Sequence, residues 1–336
     1  MIDISRFNDE YFNLSEAELR DRKDKLLSYG IGYLDDTMYA IYPKSLIVIG
    51  SKTGTGKTEI ATQIAMHNAE SGKKIVYFAL EAEKYEIQRR IEFKILSGIL
   101  EGKISFQEFI AGKYIDSYTD QRGRTKVELK KLDSLVFRYR NHSNYTVDDF
   151  LKDMDDIRFI WGIQPDLIII DHLHYFDWYD DDNRAVKAIV KKIRDTVLID
   201  ETPIILISHV RKIDKRTYGL VPDIDDFHGT SEIAKVATQA ITLAPSYKFE
   251  KNWGYKTYMR VLKNRYFGSV TKYIAETYFD ITNNKYKDQY ILGYEDKGIF
   301  EPLTDNEPSW YRRKRYVENS TDNRNQGCRN FWDEPY

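Results

Sequence analysis

Residues 44–61 read KSLIVIGSKTGTGKTEIA, and this segment limits the fold more than any other. The apolar run from Leu46 to Ile49 stops at Gly50. Small and polar residues from Ser51 to Thr58 follow, and then Glu59-Ile60-Ala61-Thr62-Gln63-Ile64-Ala65 takes up a helical pattern. Strand, glycine-rich turn and helix in that order make a phosphate cradle. Glycines let backbone N–H groups turn inward onto phosphate oxygens. The helix that starts near Gly56 aims its positive end at the same place. The stretch Ser51-Lys52-Thr53-Gly54-Thr55-Gly56-Lys57-Thr58 matches G-x-x-x-x-G-K-[ST] except at its first position, where Ser51 stands and Gly50 precedes it. In such a loop Lys57 neutralises the β and γ phosphates and the Thr58 hydroxyl ligates Mg²⁺. ATP and Mg²⁺ are therefore the expected cofactors. A Gly/Thr-rich turn with an incidental lysine explains neither the strand before nor the helix after.

The apolar runs are of one kind. IVI, LIIID and IILIS do not alternate with polar residues. Strands buried on both faces look like this, so the sheet is expected to be mostly parallel and covered by helices. Strands are expected at 46–50, 74–80, 165–171 and 203–209. Helices are expected at 57–70, 83–98, 146–162 (capped by Thr146) and 185–200, with further helices and turns over 100–135. Residues 237–243, 255–265 and 270–279 close the sheet. The fold class is α/β, a P-loop nucleoside triphosphatase. A helical arm occupies 1–28, the core 29–300 and an irregular tail 301–336. In the arm, Ser15 with Glu18 reads as a capping box that starts a helix.

Composition removes several classes. Net charge is −2, so contact with nucleic acid needs a local basic patch and not the overall field. The single cysteine, Cys328, excludes a disulfide framework and suits a reducing cytoplasm. The longest apolar runs are about five residues, too short for a membrane helix. The N-terminal MIDISRFNDEYF lacks the apolar segment of a secretory signal.

Hydrolysis needs more than a cradle. Asp171 ends the run Leu167-Ile168-Ile169-Ile170, where a carboxylate can complete a metal shell; a helix N-cap is the structural alternative. Glu81 follows the strand after the cradle helix and can polarise a water, with Glu83 as its competitor. His209 ends PIILISH and can contact the γ-phosphate, although a lone histidine there is more often structural.

These pieces together resemble the RecA-like core of the DnaB-type hexameric replicative helicases, and most of all the helicase half of phage primase-helicases and Twinkle. GIGYLDD (30–36), SKTGTGKT, YFALEAE, LIIIDHLHYF (167–176), LISHVRK (206–212), DIDDFHGTSEIAKVATQAITL (223–243) and RVLKNRYFG (260–268) follow the family's order. The resemblance implies a ring, expected to be a homo-hexamer, that moves on single-stranded DNA. It puts Glu81 at the catalytic glutamate and His209 at the γ-phosphate sensor. It makes Lys263 and Arg265 cations that enter the neighbouring subunit's site, the latter as arginine finger, and places Tyr278 against adenine. It makes the loop with Arg211, Lys212, Lys215 and Arg216 a channel lining that holds the DNA backbone, although a basic run by itself is more often a solvated loop. A primase, loader or polymerase is an expected partner, and the acidic, aromatic end FWDEPY is a candidate contact for a polymerase.

The sequence departs from the pattern in three places. Ala40-Ile41 precedes the first strand where the family has glycine–leucine. Phe227-His228-Gly229 stands where the family has leucine–arginine–glycine. The acidic stretch Asp177 to Arg184 would repel DNA and reads as a solvated loop, with cation binding as the alternative. Two other functions share the early motifs. One is a recombination ATPase of the RecA/RadA type. The other is a RecA-like regulatory or defence ATPase that does not act on DNA.

Overall fold

The computed structural model describes residues 9–140, 144–162, 164–177, 182–210, 221–227, 231–249, 254–266, 268, 272–280, 282–296 and 299–303. Along the chain these form α1 (Asp9–Asp24), α2 (Gly32–Met38), β1 (Leu46–Ser51), α3 (Lys57–Glu70), β2 (Ile75–Ala79), α4 (Glu86–Ile99), α5 (Phe106–Ile110), α6 (Thr119–Lys130) and β3 (Leu135–Tyr139). Then follow α7 (Val147–Trp161), β4 (Leu167–Asp171), α8 (Asp182–Asp200), β5 (Ile204–His209), α9 (Ser231–Val236), β6 (Gln239–Phe249), β7 (Gly254–Asn264), β8 (Tyr273–Asp280), β9 (Lys285–Asp296) and β10 (Ile299–Pro302).

All the strands among the described residues join one ten-stranded sheet in the order β10-β9-β8-β7-β6-β1-β5-β4-β2-β3. From β6 to β3 every neighbouring pair is parallel. The non-alternating runs have their explanation here. On β1, Ile47 and Ile49 face one layer with Ile60 and Ile64 of α3, while Leu46 and Val48 face the other with α7 and α8. Each strand thus feeds two cores, and each fully buried Ile or Leu contributes about 1.5–3 kcal/mol. Helix α7 starts as expected: Thr146 and Asp149 form a reciprocal capping box.

The other half of the sheet, β6 to β10, is antiparallel, which the parallel expectation did not include. Met259 and Val261 are buried, and alternate with less buried neighbours, as in a sheet with one packed face. Three strands escape a reading by apolar run. β3 (LVFRY) lies at the sheet's edge behind a charged helix, and β9 (KYKDQYILGYED) carries too few apolar residues to stand out. β10 is short, exposed and contains Pro302, a blunted edge.

The arm also differs from expectation. Helix α1 already runs at Asp9, so Ser15 lies in its interior and caps nothing. Nothing from Asp9 to Leu14 breaks a helix, and the i,i+4 pairs Glu16–Arg20 and Asp21–Lys25 support it beyond that point. After α1, Leu27 bridges to Ile41 and Tyr29 is buried, its hydroxyl donating to Gln239 Oε1 at 2.8 Å. No helix among the described residues is long and apolar enough to cross a membrane.

Candidate active site

Parallel register brings the chemistry together. Ser51 pairs with His209 and Ala79 with Asp171, so the loops after β1, β2, β4 and β5 leave one edge of the sheet. A cleft of about 570 Å³ opens there. Its walls include the cradle, Glu81, Asp171, His209 and Phe279.

The cradle is built from backbone. Gly54 and Gly56 have φ of 78° and 91°, conformations that favour glycine. Gly56 has a second constraint: a Cβ there would lie 2.2 Å from the Tyr286 hydroxyl, which donates to Thr55 O at 3.1 Å. The departure at Ser51 is accommodated, because its Oγ donates to Lys52 O at 2.9 Å. Glycine is needed one residue earlier, where a Cβ on Gly50 would meet the ring of Phe227 at 2.3 Å. Lys57, in the first turn of α3, folds back over the loop. Its Nζ donates to Ser51 O (3.2 Å) and Lys52 O (3.0 Å) and sits 3.3 Å from His209 Nδ1. Burial lowers the Lys57 ammonium to about 8, against the pull of Asp171 and Glu81.

Asp171 is the buried centre of the site. Its Oδ2 accepts from Thr58 Oγ1 and from the Tyr77 hydroxyl, both at 2.8 Å. Its Oδ1 is buried and has no hydrogen-bond partner among the described residues. Burial raises the carboxyl, while Tyr77, Thr58 and Lys57 pull it back. An unfilled carboxylate oxygen beside a hydroxyl is the donor set a hard, oxygen-seeking cation takes, so Thr58 and Asp171 fit Mg²⁺.

Glu81 stands at the rim with Oε2 3.0 Å from His172 Nε2. Burial raises its carboxyl, and Asp171 adds to that. Glu83 is not part of the cleft wall; its amide donates to Glu86 Oε2. The His172 ring is buried, 4.2 Å centre to centre from His209. Burial, then His209, His174 and Lys57, lower it to about 2.

Beneath the cradle lies an ionic knot. Glu59, next to Thr58, accepts from Arg90 and Lys94, each at 2.7 Å, and from Asn284 at 3.2 Å. Tyr77, Tyr286 and the Arg90–Lys94 pair went unnoticed in the sequence, where nothing links a tyrosine or a charged helix face to a distant loop.

The structure does not bring every expected residue here. Tyr278 is not in the cleft wall; its neighbour Phe279 is, packed on Tyr286 at 4.9 Å. Strand alternation turns the Tyr278 ring the other way, 5.9 Å from Lys287 Nζ. Lys263 and Arg265 lie at the opposite end of the sheet. Asn264 pairs with Gln239, and Gln239 pairs with Ile47 near the start of β1. Arg265 is exposed, just past the end of β7. Lys263 donates to Lys235 O at 3.1 Å, and burial, then Arg265 and Arg194, lower its ammonium. Arg211, Lys212, Lys215 and Arg216 lie outside the described residues, as do residues 178–181, His228, Gly229 and the tail from 304. Helix α8 begins at Asp182, inside the acidic stretch read as a loop.

The model of the DnaB-like helicase C-terminal domain matches residues 27–286. Among solved structures, one described as a DnaB-like replicative helicase and its interactions with primase superposes with a TM-score of 0.66 at 16% identity. That match covers 84% of this chain and 67% of the other. A second, described as an ATPase domain, gives 0.66 at 15% identity, over 84% and 99%. A KaiC-like protein, PH0186 of Pyrococcus horikoshii OT3, gives 0.52 at 18% identity, over 79% and 98%. At these identities the structural likeness is one of fold. No protein with a curated description matches the chain in sequence.

Proposed function

This chain belongs to the DnaB-like helicase C-terminal domain family, and from that premise we propose that it is an ATP-driven motor that unwinds DNA as a ring, hydrolysing ATP at the seams between subunits. A homo-hexamer on single-stranded DNA in the cytoplasm is the form this takes. The core at 29–300 is the motor, with the arm and tail available to a primase, loader or polymerase.

The observation that carries the reading is the distance between two sets of residues. Lys57, Thr58, Asp171, Glu81 and His209 gather at one edge of the sheet, and Lys263 and Arg265 at the other. The length of β1, on the order of 17 Å, separates them. Arg265 therefore cannot serve its own phosphates, but it is exposed and can serve a neighbour's. Trans action of this kind neutralises charge that develops on the transferred phosphoryl group.

The roles follow from position. Lys57 leaves the loop carbonyls for the β and γ phosphates. Thr58 and Asp171 hold Mg²⁺, which supplies charge neutralisation on the phosphate oxygens when bound. Glu81 orients the attacking water and accepts its proton, and its raised carboxyl is the better base for this. His209, beside Lys57, contacts the γ-phosphate and responds to its loss. The loop that begins just after His209, with Arg211, Lys212, Lys215 and Arg216, grips the DNA backbone and couples hydrolysis to movement. Phe279, and not Tyr278, lines the cleft and is the aromatic residue assigned to the nucleotide base.

The test is ATPase with and without single-stranded DNA, together with displacement of a forked duplex. DNA should stimulate turnover, and Lys57→Ala should abolish both activities. Arg265→Ala should abolish hydrolysis and leave nucleotide binding largely intact; normal hydrolysis by this variant contradicts the seam mechanism. The fold is also that of a KaiC-like protein, and ATPase indifferent to DNA would select a regulatory ATPase instead.

A further inference from the structure

We propose that Glu81, His172 and His209 form a site for one divalent transition-metal ion of the zinc class, and that filling it removes Glu81 from hydrolysis. The second half of this statement rests on the function proposed above; the first half does not. One ligand atom from each residue lies within 4.8 Å of those of the other two. Glu81 Oε2 and His172 Nε2 are already 3.0 Å apart, yet Nε2 makes no well-aligned hydrogen bond among the described residues. The two groups stand side by side and out of line, so that once the ring proton moves to Nδ1 both can turn a lone pair toward a common ion.

The three residues sit on rigid supports. His172 follows the last residue of β4, His209 is the last residue of β5, and Glu81 lies just past β2. These strands are consecutive neighbours in the sheet. Ligands about a tetrahedral zinc stand roughly 3.3 Å apart, so closure needs side-chain shifts of about an ångström. Two imidazoles and one carboxylate suit Zn²⁺, Co²⁺ or Ni²⁺, whereas Mg²⁺ takes oxygen donors such as Thr58 and Asp171. The sites are therefore chemically distinct although their residues are adjacent in the chain. Three protein ligands would leave the coordination sphere open, and two of them, Glu81 and His209, line the cleft.

Two contacts resist the ion. His172 Nδ1 accepts from His174 N at 3.2 Å, so a metal on Nε2 shifts the ring proton to Nδ1 and forfeits that bond. Lys57 Nζ lies 3.3 Å from His209 Nδ1 and repels a second cation. This second contact gives the proposal a signature: removing the ammonium should tighten metal binding. Bound metal occupies the Glu81 carboxylate that would otherwise take a proton from water. It leaves the cradle backbone untouched, so nucleotide should still bind.

The experiment titrates the full chain with Co²⁺, followed by visible absorption, and with Zn²⁺ by calorimetry, in parallel with ATPase at fixed excess Mg²⁺. One ion per chain is expected. His172→Ala, His209→Ala and Glu81→Ala should each weaken binding by about 100-fold or more, with circular dichroism checking the fold. Lys57→Met, itself inactive, should bind several-fold more tightly, which a folding defect cannot mimic. His67→Ala, elsewhere on α3, should leave the spectrum unchanged. Zn²⁺ should lower turnover without lowering nucleotide affinity, and a chelator should restore it. Binding that survives all three ligand substitutions, or Lys57→Met binding no more tightly, overturns the site. Binding with unchanged turnover overturns the inhibition. A chain that shows the Co²⁺ spectrum but no DNA-stimulated ATPase sinks the motor and leaves the site standing.

Discussion

Glu59→Gln is a change of one atom beneath the phosphate cradle, and its cost can be worked from the contacts. The Glu59 side chain is 8% exposed and Lys94 7%. Burial opposes the Glu59 charge, but Lys94 and Arg90 together outweigh it and hold the carboxyl below its usual range. Glutamine keeps one acceptor oxygen but removes the charge, so the Lys94 ammonium stays buried with no counter-charge and with neutral acceptors such as Thr62 Oγ1 at 2.8 Å. Breaking one side of a buried pair costs about 3–5 kcal/mol. Arg90 loses less, since Glu86 remains 3.0 Å from its guanidinium. The reverse change is milder. In Lys94→Met, Glu59 keeps Arg90 and Asn284, so the loss is about 1.5–3 kcal/mol, that of one charged hydrogen bond. Replacing both, Glu59→Leu with Lys94→Met, should recover most of the stability, because well-packed apolar groups substitute for buried pairs at little cost. The assay is urea unfolding at neutral pH, reading midpoint and slope. The sign with pH is fixed as well. A depressed folded-state carboxyl contributes stability that is full above its unfolded value and lost as pH falls through the folded one. Glu59→Gln should abolish that portion of the acid loss. A Glu59→Gln protein within about 1 kcal/mol of wild type, or less destabilised than Lys94→Met, would refute this reasoning.

Other outcomes follow from single contacts. Gly50→Ala drives a methyl into the Phe227 ring and should cost about 1–3 kcal/mol in urea unfolding, with Phe227→Leu recovering part of it. Asp171→Asn should abolish Mg²⁺-dependent hydrolysis yet melt no lower than wild type, because burial already opposes that charge; a large drop in melting temperature would contradict this. Phe279→Ala should weaken binding of a fluorescent ADP analogue several-fold whereas Tyr278→Ala should not, and the opposite ranking would restore Tyr278 as the adenine contact.

Much of the fold could be read in the chain because doubly buried strands leave uninterrupted apolar runs. β1, β2, β4 and β5 were marked by them, and the cradle helix has the expected bounds, 57–70. Where burial is one-sided or the strand is an edge, the signal fades, and β3, β9 and β10 were missed for that reason. The residues that gather in the cleft were legible where they sit at or just past a strand tip, as Asp171, Glu81 and His209 do, or in the glycine-rich loop's helix, as Lys57 does. It was not legible where distant segments meet. Tyr286 reaches Thr55 across the whole fold, and Gly50 is glycine because of Phe227, neither of which a local pattern reveals. Tyr278 was chosen over Phe279 because strand phase cannot be set from a short stretch, and one residue's slip exchanges the faces.

Mixing two dead variants tests most directly whether ATP is hydrolysed between chains. Lys57→Ala keeps its arginine but has no working cradle, and Arg265→Ala keeps its cradle but lends no arginine. If cradle and arginine come from different subunits, random mixing in equal amounts re-forms intact seams, about a quarter of the total, and ATPase should return to a proportionate fraction of wild type. A mixture as inactive as its components, although shown by cross-linking to co-assemble, would mean that each chain hydrolyses ATP alone or not at all.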